Sequence, residues 1–151
     1  MLLDALLAWL HFLCIFTLVG ALVAELVLYR REMSVAHLTQ LQRLDALYGI
    51  SAGLVVVSGV LRVTLGLKGA AFYMHSPIFW TKMVFFLVVA LLSIPPTIHY
   101  LRLKRSANAA GEVTVPEGPY RKMWTLLIVE TAVLACIPFL ATLLTHGYQR
   151  F

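Results

Sequence analysis

Four long apolar runs alternate with polar connectors along this chain, and each is long enough to cross about 30 Å of hydrocarbon as a helix of about 20 residues. The first predicted helix covers residues 2–29 and is closed by Arg30, Arg31 and Glu32. It lacks the basic leader, short core and small-residue cleavage site of a signal peptide, so it is expected to stay in place. The stretch from Ser34 to Asp45 is polar, with Leu38, Leu41 and Leu44 three apart, which predicts a short helix lying at the interface. A second helix is predicted over residues 46–67, where Gly49, Gly53, Ser58 and Gly59 supply small side chains for close helix approach. The third, over residues 78–101, opens at Ser76-Pro77. Pro95 and Pro96 remove two backbone donors from it, which predicts a kink in its second half. Residues 102–119 read as a loop outside the bilayer, and the fourth helix is predicted over residues 120–144. The expected fold is an all-α, four-transmembrane-helix bundle with a short interfacial helix between the first two spans, in one membrane domain covering residues 1–151.

Composition agrees. With 61% apolar and only 13% charged residues, and a mean hydropathy of +0.88, the chain has too few polar side chains to cover a water-soluble globule. The formal charge of +5 resides in short connectors rather than on a basic face with interleaved aromatics, so nucleic acid is not an expected partner. The lipid bilayer is. Arg30, Arg31, Arg43, Arg102, Lys104, Arg105, Arg121 and Lys122 fall on one side of the membrane, against Lys68 and Arg150 on the other. The excess of cations marks the cytoplasmic side and places both termini in the periplasm of a bacterial inner membrane. Four helices enclose little interior, so a homodimer or larger membrane complex is expected. Cys14 and Cys136 both lie in apolar runs and form no paired-cysteine motif.

Ionisable residues inside spans are costly and usually have a partner or a task. His11, Arg62 and Lys82 converge at the predicted outer third of the bundle, while Glu25 and Glu130 lie in its inner half, with Asp45 and His99 close to the inner surface. His11 and Glu25 are fourteen positions apart and return to within about 40° of one another around a helix, so they share a face with Cys14, Leu18 and Leu22 or Ala21 between them. Simpler readings stand beside a functional one: Arg62 and Lys82 can snorkel, Glu25 can pair with Arg30 or Arg31, and a buried His is often only a hydrogen-bonded core residue.

A neutral imidazole in an apolar helical bundle is a standard axial donor to haem iron. His11 is therefore the candidate iron ligand of a haem b site. Arg62 and Lys82 would neutralise the propionates, and Trp80, with Trp9, Phe12, Phe85 and Phe86, could cover the ring. His75, His146 or Lys82 itself could supply a second ligand. His11 and Cys14 provide only two ligands for zinc or copper, too few to define a site. In a redox role, Lys82, Glu25 and Glu130 are the candidate catalytic residues, with Glu25, Glu130 and His99 moving protons towards the cytoplasmic side. No nucleotide loop, triad or hydrolytic carboxylate pair is visible.

Trp9-Leu10-His11-Phe12, Gly20, Tyr29-Arg30-Arg31, Ser58-Gly59-Val60-Leu61, Trp80-Thr81-Lys82-Met83, Arg121 and Ile137-Pro138-Phe139 resemble an uncharacterised family of small bacterial four-helix inner-membrane proteins. More remotely they resemble the HemJ-type protoporphyrinogen oxidases and copper-resistance-D-like membrane proteins. The HemJ-type resemblance implies haem b and porphyrinogen oxidation, with His11 and Lys82 as the functional pair. Thr17-Leu18-Val19-Gly20 stands where that family has an aromatic-Ala-Gly stretch, and its Asn-Glu-x-Pro opening of the last helix is absent. Two functional classes follow. One is an inner-membrane haem b protein handling electrons from a quinol or porphyrinogen-type substrate; the other is an accessory subunit or small homo-oligomeric transporter without a cofactor.

Overall fold

The computed structural model describes residues 1–67 and 69–145, with side chains to residue 143. Its elements are α1 (Leu2–Leu28), β1 (Glu32–Ser34), α2 (Val35–Leu65), α3 (Gly69–Met74), α4 (Pro77–Leu92), α5 (Ile94–Arg105), β2 (Glu112–Thr114) and α6 (Glu117–Thr145). α1, α2, the α4–α5 pair and α6 are each long and apolar enough to cross a membrane. The all-α four-helix bundle is therefore present.

The polar stretch after Ser34 is helical, but it does not form a separate interfacial helix. It runs unbroken into the second span, because no Gly or Pro lies between Ser34 and Tyr48 to stop it. Ser34 caps its start by accepting from the His37 N–H at 3.2 Å. The resulting 31 residues measure about 46 Å, well beyond the hydrocarbon thickness, so the first turns extend out of the apolar layer.

The third span breaks where expected. Pro95 and Pro96 cannot donate, α4 ends at Leu92, and α5 starts afresh after Ser93. This break redirects the span: α4 packs against α6, whereas α5 packs against α2. Ser76 caps α4 by accepting from the Phe79 N–H, with Pro77 at the first helical position.

Three short elements, α3, β1 and β2, were not expected. The short helix α3 lies in the outer loop. The connectors at the other end pair as an antiparallel ribbon, with Met33 opposite Val113. Asn108 organises the turn before β2: its side chain accepts from the Glu112 N–H, its carbonyl accepts from the Gly111 N–H, and Gly111 takes a φ of +73°. Met33, Val113 and Val115 are buried and close the core beneath Tyr29, Leu38, Leu41 and Tyr100.

Gly49 and Gly53 do not mediate packing within the chain. Both are exposed, and a Cβ built on either would meet no atom within 4 Å. It is Ser58 and Gly59 that meet α1, where a Cβ on Gly59 would lie 3.4 Å from His11 Cε1.

Candidate functional site

The interior carries two polar clusters, one towards each end, separated by apolar side chains. α1 contributes to both. Its inward stripe is Leu7, Cys14, Leu18, Ala21, Leu22 and Glu25, as the shared face of His11 and Glu25 requires. The two residues are about 21 Å apart along the helix.

At the outer end, His11 Nδ1 lies 2.8 Å from Ser58 Oγ on α2. Ser58 has one hydroxyl proton, which it donates back to the Leu54 carbonyl at 2.7 Å. The Ser58 oxygen is therefore the acceptor, His11 carries its proton on Nδ1, and the Nε2 lone pair is left free. The charges of Arg62 and Lys82 both act on His11, and Arg62 acts on Lys82, so the structure brings together the three residues the sequence placed at this depth. Arg62 Nε is buried without a hydrogen-bond partner. Lys82 Nζ lies 5.6 Å from the centre of the Phe79 ring. Among the described residues, neither cation has a carboxylate within 4 Å. Trp80 is 50% exposed and donates from its indole N–H to the Met74 carbonyl, which tethers α3 to the start of α4.

The inner end is acidic. Glu25 and Glu130 are each 1% exposed. Tyr48 on α2 donates to Glu130 Oε1 at 2.7 Å, and Thr97 on α5 donates to Asp45 Oδ1 at 2.8 Å. Glu25 faces Tyr100 on α5, although neither Glu25 Oε1 nor the Tyr100 hydroxyl completes a hydrogen bond. Among the described residues, no Arg pairs with Glu25. Arg31 instead reaches Glu117, which also binds Arg121. Below this cluster the Tyr29 hydroxyl meets His99 Nε2 at 2.8 Å, and the Tyr29 ring stacks on Tyr120. Burial raises the pKa of the Tyr29 phenol above its ordinary range, so the hydroxyl keeps its proton beside His99.

Ser58, Tyr48, Thr97, Tyr100 and Tyr29 were not singled out as site residues from the sequence. Isolated hydroxyls in apolar runs are common, and only the partner across the bundle distinguishes these. Of the candidate second iron ligands, His75 is exposed and hydrogen-bonded to Ala71 O within its own segment, and His146 lies outside the described residues. Lys68 and Arg150, which entered the orientation argument, also lie outside them.

The donor chemistry of the outer end fits an iron tetrapyrrole bearing carboxylates: a free imidazole nitrogen, an orphaned Arg62 Nε and a second cation. A single imidazole suffices for axial ligation. Among the described residues, no three His, Cys, Asp or Glu side chains are placed to share a bare metal ion. The interior cavity found among the described residues is not at His11. It measures about 230 Å³ and is lined by Leu18, Tyr48, Gly49, Ala52, Phe86, Val89, Ala90 and Ser93, whereas ligand sites usually exceed about 300 Å³. A bound tetrapyrrole would be held on the half-buried His11 face, not in a closed cavity.

No curated protein and no solved structure matches this chain, and neither comparison supports a likeness to the HemJ-type or copper-resistance-D-like proteins. A family model does match, over residues 3–149, and the chain belongs to that family, described as predicted membrane protein (DUF2214).

Proposed function

We propose that this membrane protein binds haem b at its outer end and acts as a redox protein, with His11 as the axial iron ligand. One observation carries the reading: Ser58 engages His11 Nδ1, which leaves Nε2 as the ring's other donor atom, and the two nearby cations have no carboxylate partner among the described residues. Hydrogen-bonding the second ring nitrogen is how proteins orient a metal-binding imidazole. Arg62 and Lys82 would hold the propionates, and Trp80 anchors the loop beside them. Bound haem supplies one-electron chemistry.

The test is an oxidised-minus-reduced visible spectrum of the full chain in mild detergent, with pigment extraction and a His11→Ala variant. A haem b spectrum that collapses in the variant is expected. Protein that stays colourless after haem supplementation overturns the reading. It would leave the second reading, a cofactor-free carrier or accessory subunit, which the small interior cavity and the buried acidic cluster favour.

The cation-rich β1–β2 end is assigned to the cytoplasm, and both termini to the periplasm of a bacterial inner membrane. The chain functions as a homodimer or larger complex. Impermeant thiol labelling of single-cysteine variants in either connector, together with cross-linking in native membranes, checks both statements.

A further inference from the structure

Three carboxyl groups from three helices meet in the inner half of the bundle, with no cation within 4 Å of any of them among the described residues. Asp45 and Tyr48 lie three positions apart on one face of α2, which sets Asp45 beside the Tyr48–Glu130 pair, and Thr97 and Tyr100 lie three apart on α5, which sets Asp45 beside the residue that faces Glu25. Glu130 and Asp45 are each held by one hydroxyl, from Tyr48 and Thr97. Glu25 Oε1 and the Tyr100 hydroxyl are both buried and face one another without a hydrogen bond of ordinary length, so Glu25 is held less firmly than Glu130 or Asp45. A buried carboxyl with an unmet oxygen is held more cheaply as a neutral acid than as a charge. Three uncompensated negative charges there would be far more costly than neutral acids.

We propose that Glu25, Asp45 and Glu130 form one shared proton-binding site, which fills and empties through the Tyr29–His99 pair at the β1–β2 end of the bundle. The hydrogen-bonding side chains are denser on one side of the cluster. Towards the His11 end, α1 offers only the buried Leu18 and Leu22, and α2 the single buried hydroxyl of Ser51 before Val55. Towards the other end, the Tyr100 ring lies 6.0 Å from Tyr29 and 6.2 Å from His99, and Tyr29 is bonded to His99. The titratable groups facing the site are Glu25 from α1, Asp45 and Tyr48 from α2, Tyr100 and His99 from α5, Glu130 from α6, and Tyr29 just beyond α1; Arg102 acts on His99. The species exchanged is H⁺: an O–H bond on a carboxyl breaks, an N–H or O–H bond forms at the exit, and nothing is oxidised or reduced. The site is independent of whether haem occupies the outer end.

Infrared spectroscopy of the full chain in lipid nanodiscs tests this directly, through a pH titration and a transfer to D₂O. The wild type is expected to show a protonated-carboxyl carbonyl band at neutral pH that shifts in D₂O and fades as pH rises. Glu25→Gln and Glu130→Gln should each remove a component of it. Tyr29→Phe should keep the band and slow its deuterium shift several-fold. The wild-type measurement stands even if a variant fails to fold. Absence of the band at neutral pH, or a band unchanged in both Gln variants, overturns the proposal. A band abolished by sodium at constant pH also overturns it, by showing a metal-cation site instead. Unslowed exchange in Tyr29→Phe overturns the exit.

Discussion

The Tyr48 hydroxyl donates to Glu130 Oε1 at 2.7 Å, joining positions 82 apart in sequence and tying α2 to α6 through the buried interior. Removing the hydroxyl leaves Glu130 with an unmet acceptor at a site where water has little access. Tyr48→Phe is expected to destabilise the fold by about 1–3 kcal/mol, read as a lowered thermal midpoint in detergent. The double variant with Glu130→Leu should recover part of that loss, because removing both polar partners is less costly than removing one.

Ser58 sits between the His11 ring and its own helix backbone. Ser58→Ala deletes the acceptor that fixes the imidazole proton, at an expected cost of about 1–3 kcal/mol for the orphaned N–H. His11→Ala and Ser58→Ala should be non-additive by about 0.5–3 kcal/mol in a double-mutant cycle. Additive losses would show that the contact contributes nothing to stability.

Gly111 holds a left-handed backbone conformation where the chain turns into β2, and its carbonyl accepts from the Val35 N–H at the start of α2. An L side chain there costs about 1–2 kcal/mol. Gly111→Ala should therefore speed amide hydrogen exchange in Glu32–Ser34 and Glu112–Thr114 while leaving exchange in the centre of α1 unchanged.

The Arg31–Glu117 pair is 3.9 Å long, and both side chains are about half exposed. Such pairs contribute roughly 0–1 kcal/mol. Arg31→Gln is expected to leave the thermal midpoint nearly unchanged, with a salt dependence close to that of the wild type.

Several features were legible because the bilayer makes them local. Apolar run length sets the spans, Pro95 and Pro96 set the break, Ser76-Pro77 sets the start of α4, and the 3.6-residue period places His11 and Glu25 on one inward stripe. The β1–β2 ribbon was not legible, because it pairs two three-residue segments separated by two spans, and no local pattern records that pairing. The interfacial helix was misjudged for a related reason: polarity marks where a segment leaves the apolar layer, but only a backbone breaker ends a helix.

The sequence by itself determined that this is a four-span helical membrane protein with ionisable side chains concentrated at two depths. Span length and depth follow from hydropathy and the 1.5 Å rise per residue. The tertiary structure alone decided which of these groups meet. It set Ser58 against His11, drew Glu25, Asp45 and Glu130 towards one cluster with Tyr48 and Tyr100, and, among the described residues, left that cluster without a cation and Arg62 and Lys82 without a carboxylate within 4 Å. Azimuthal orientation between helices depends on side-chain packing and on the redirection of the third span at Ser93, which no single helix encodes.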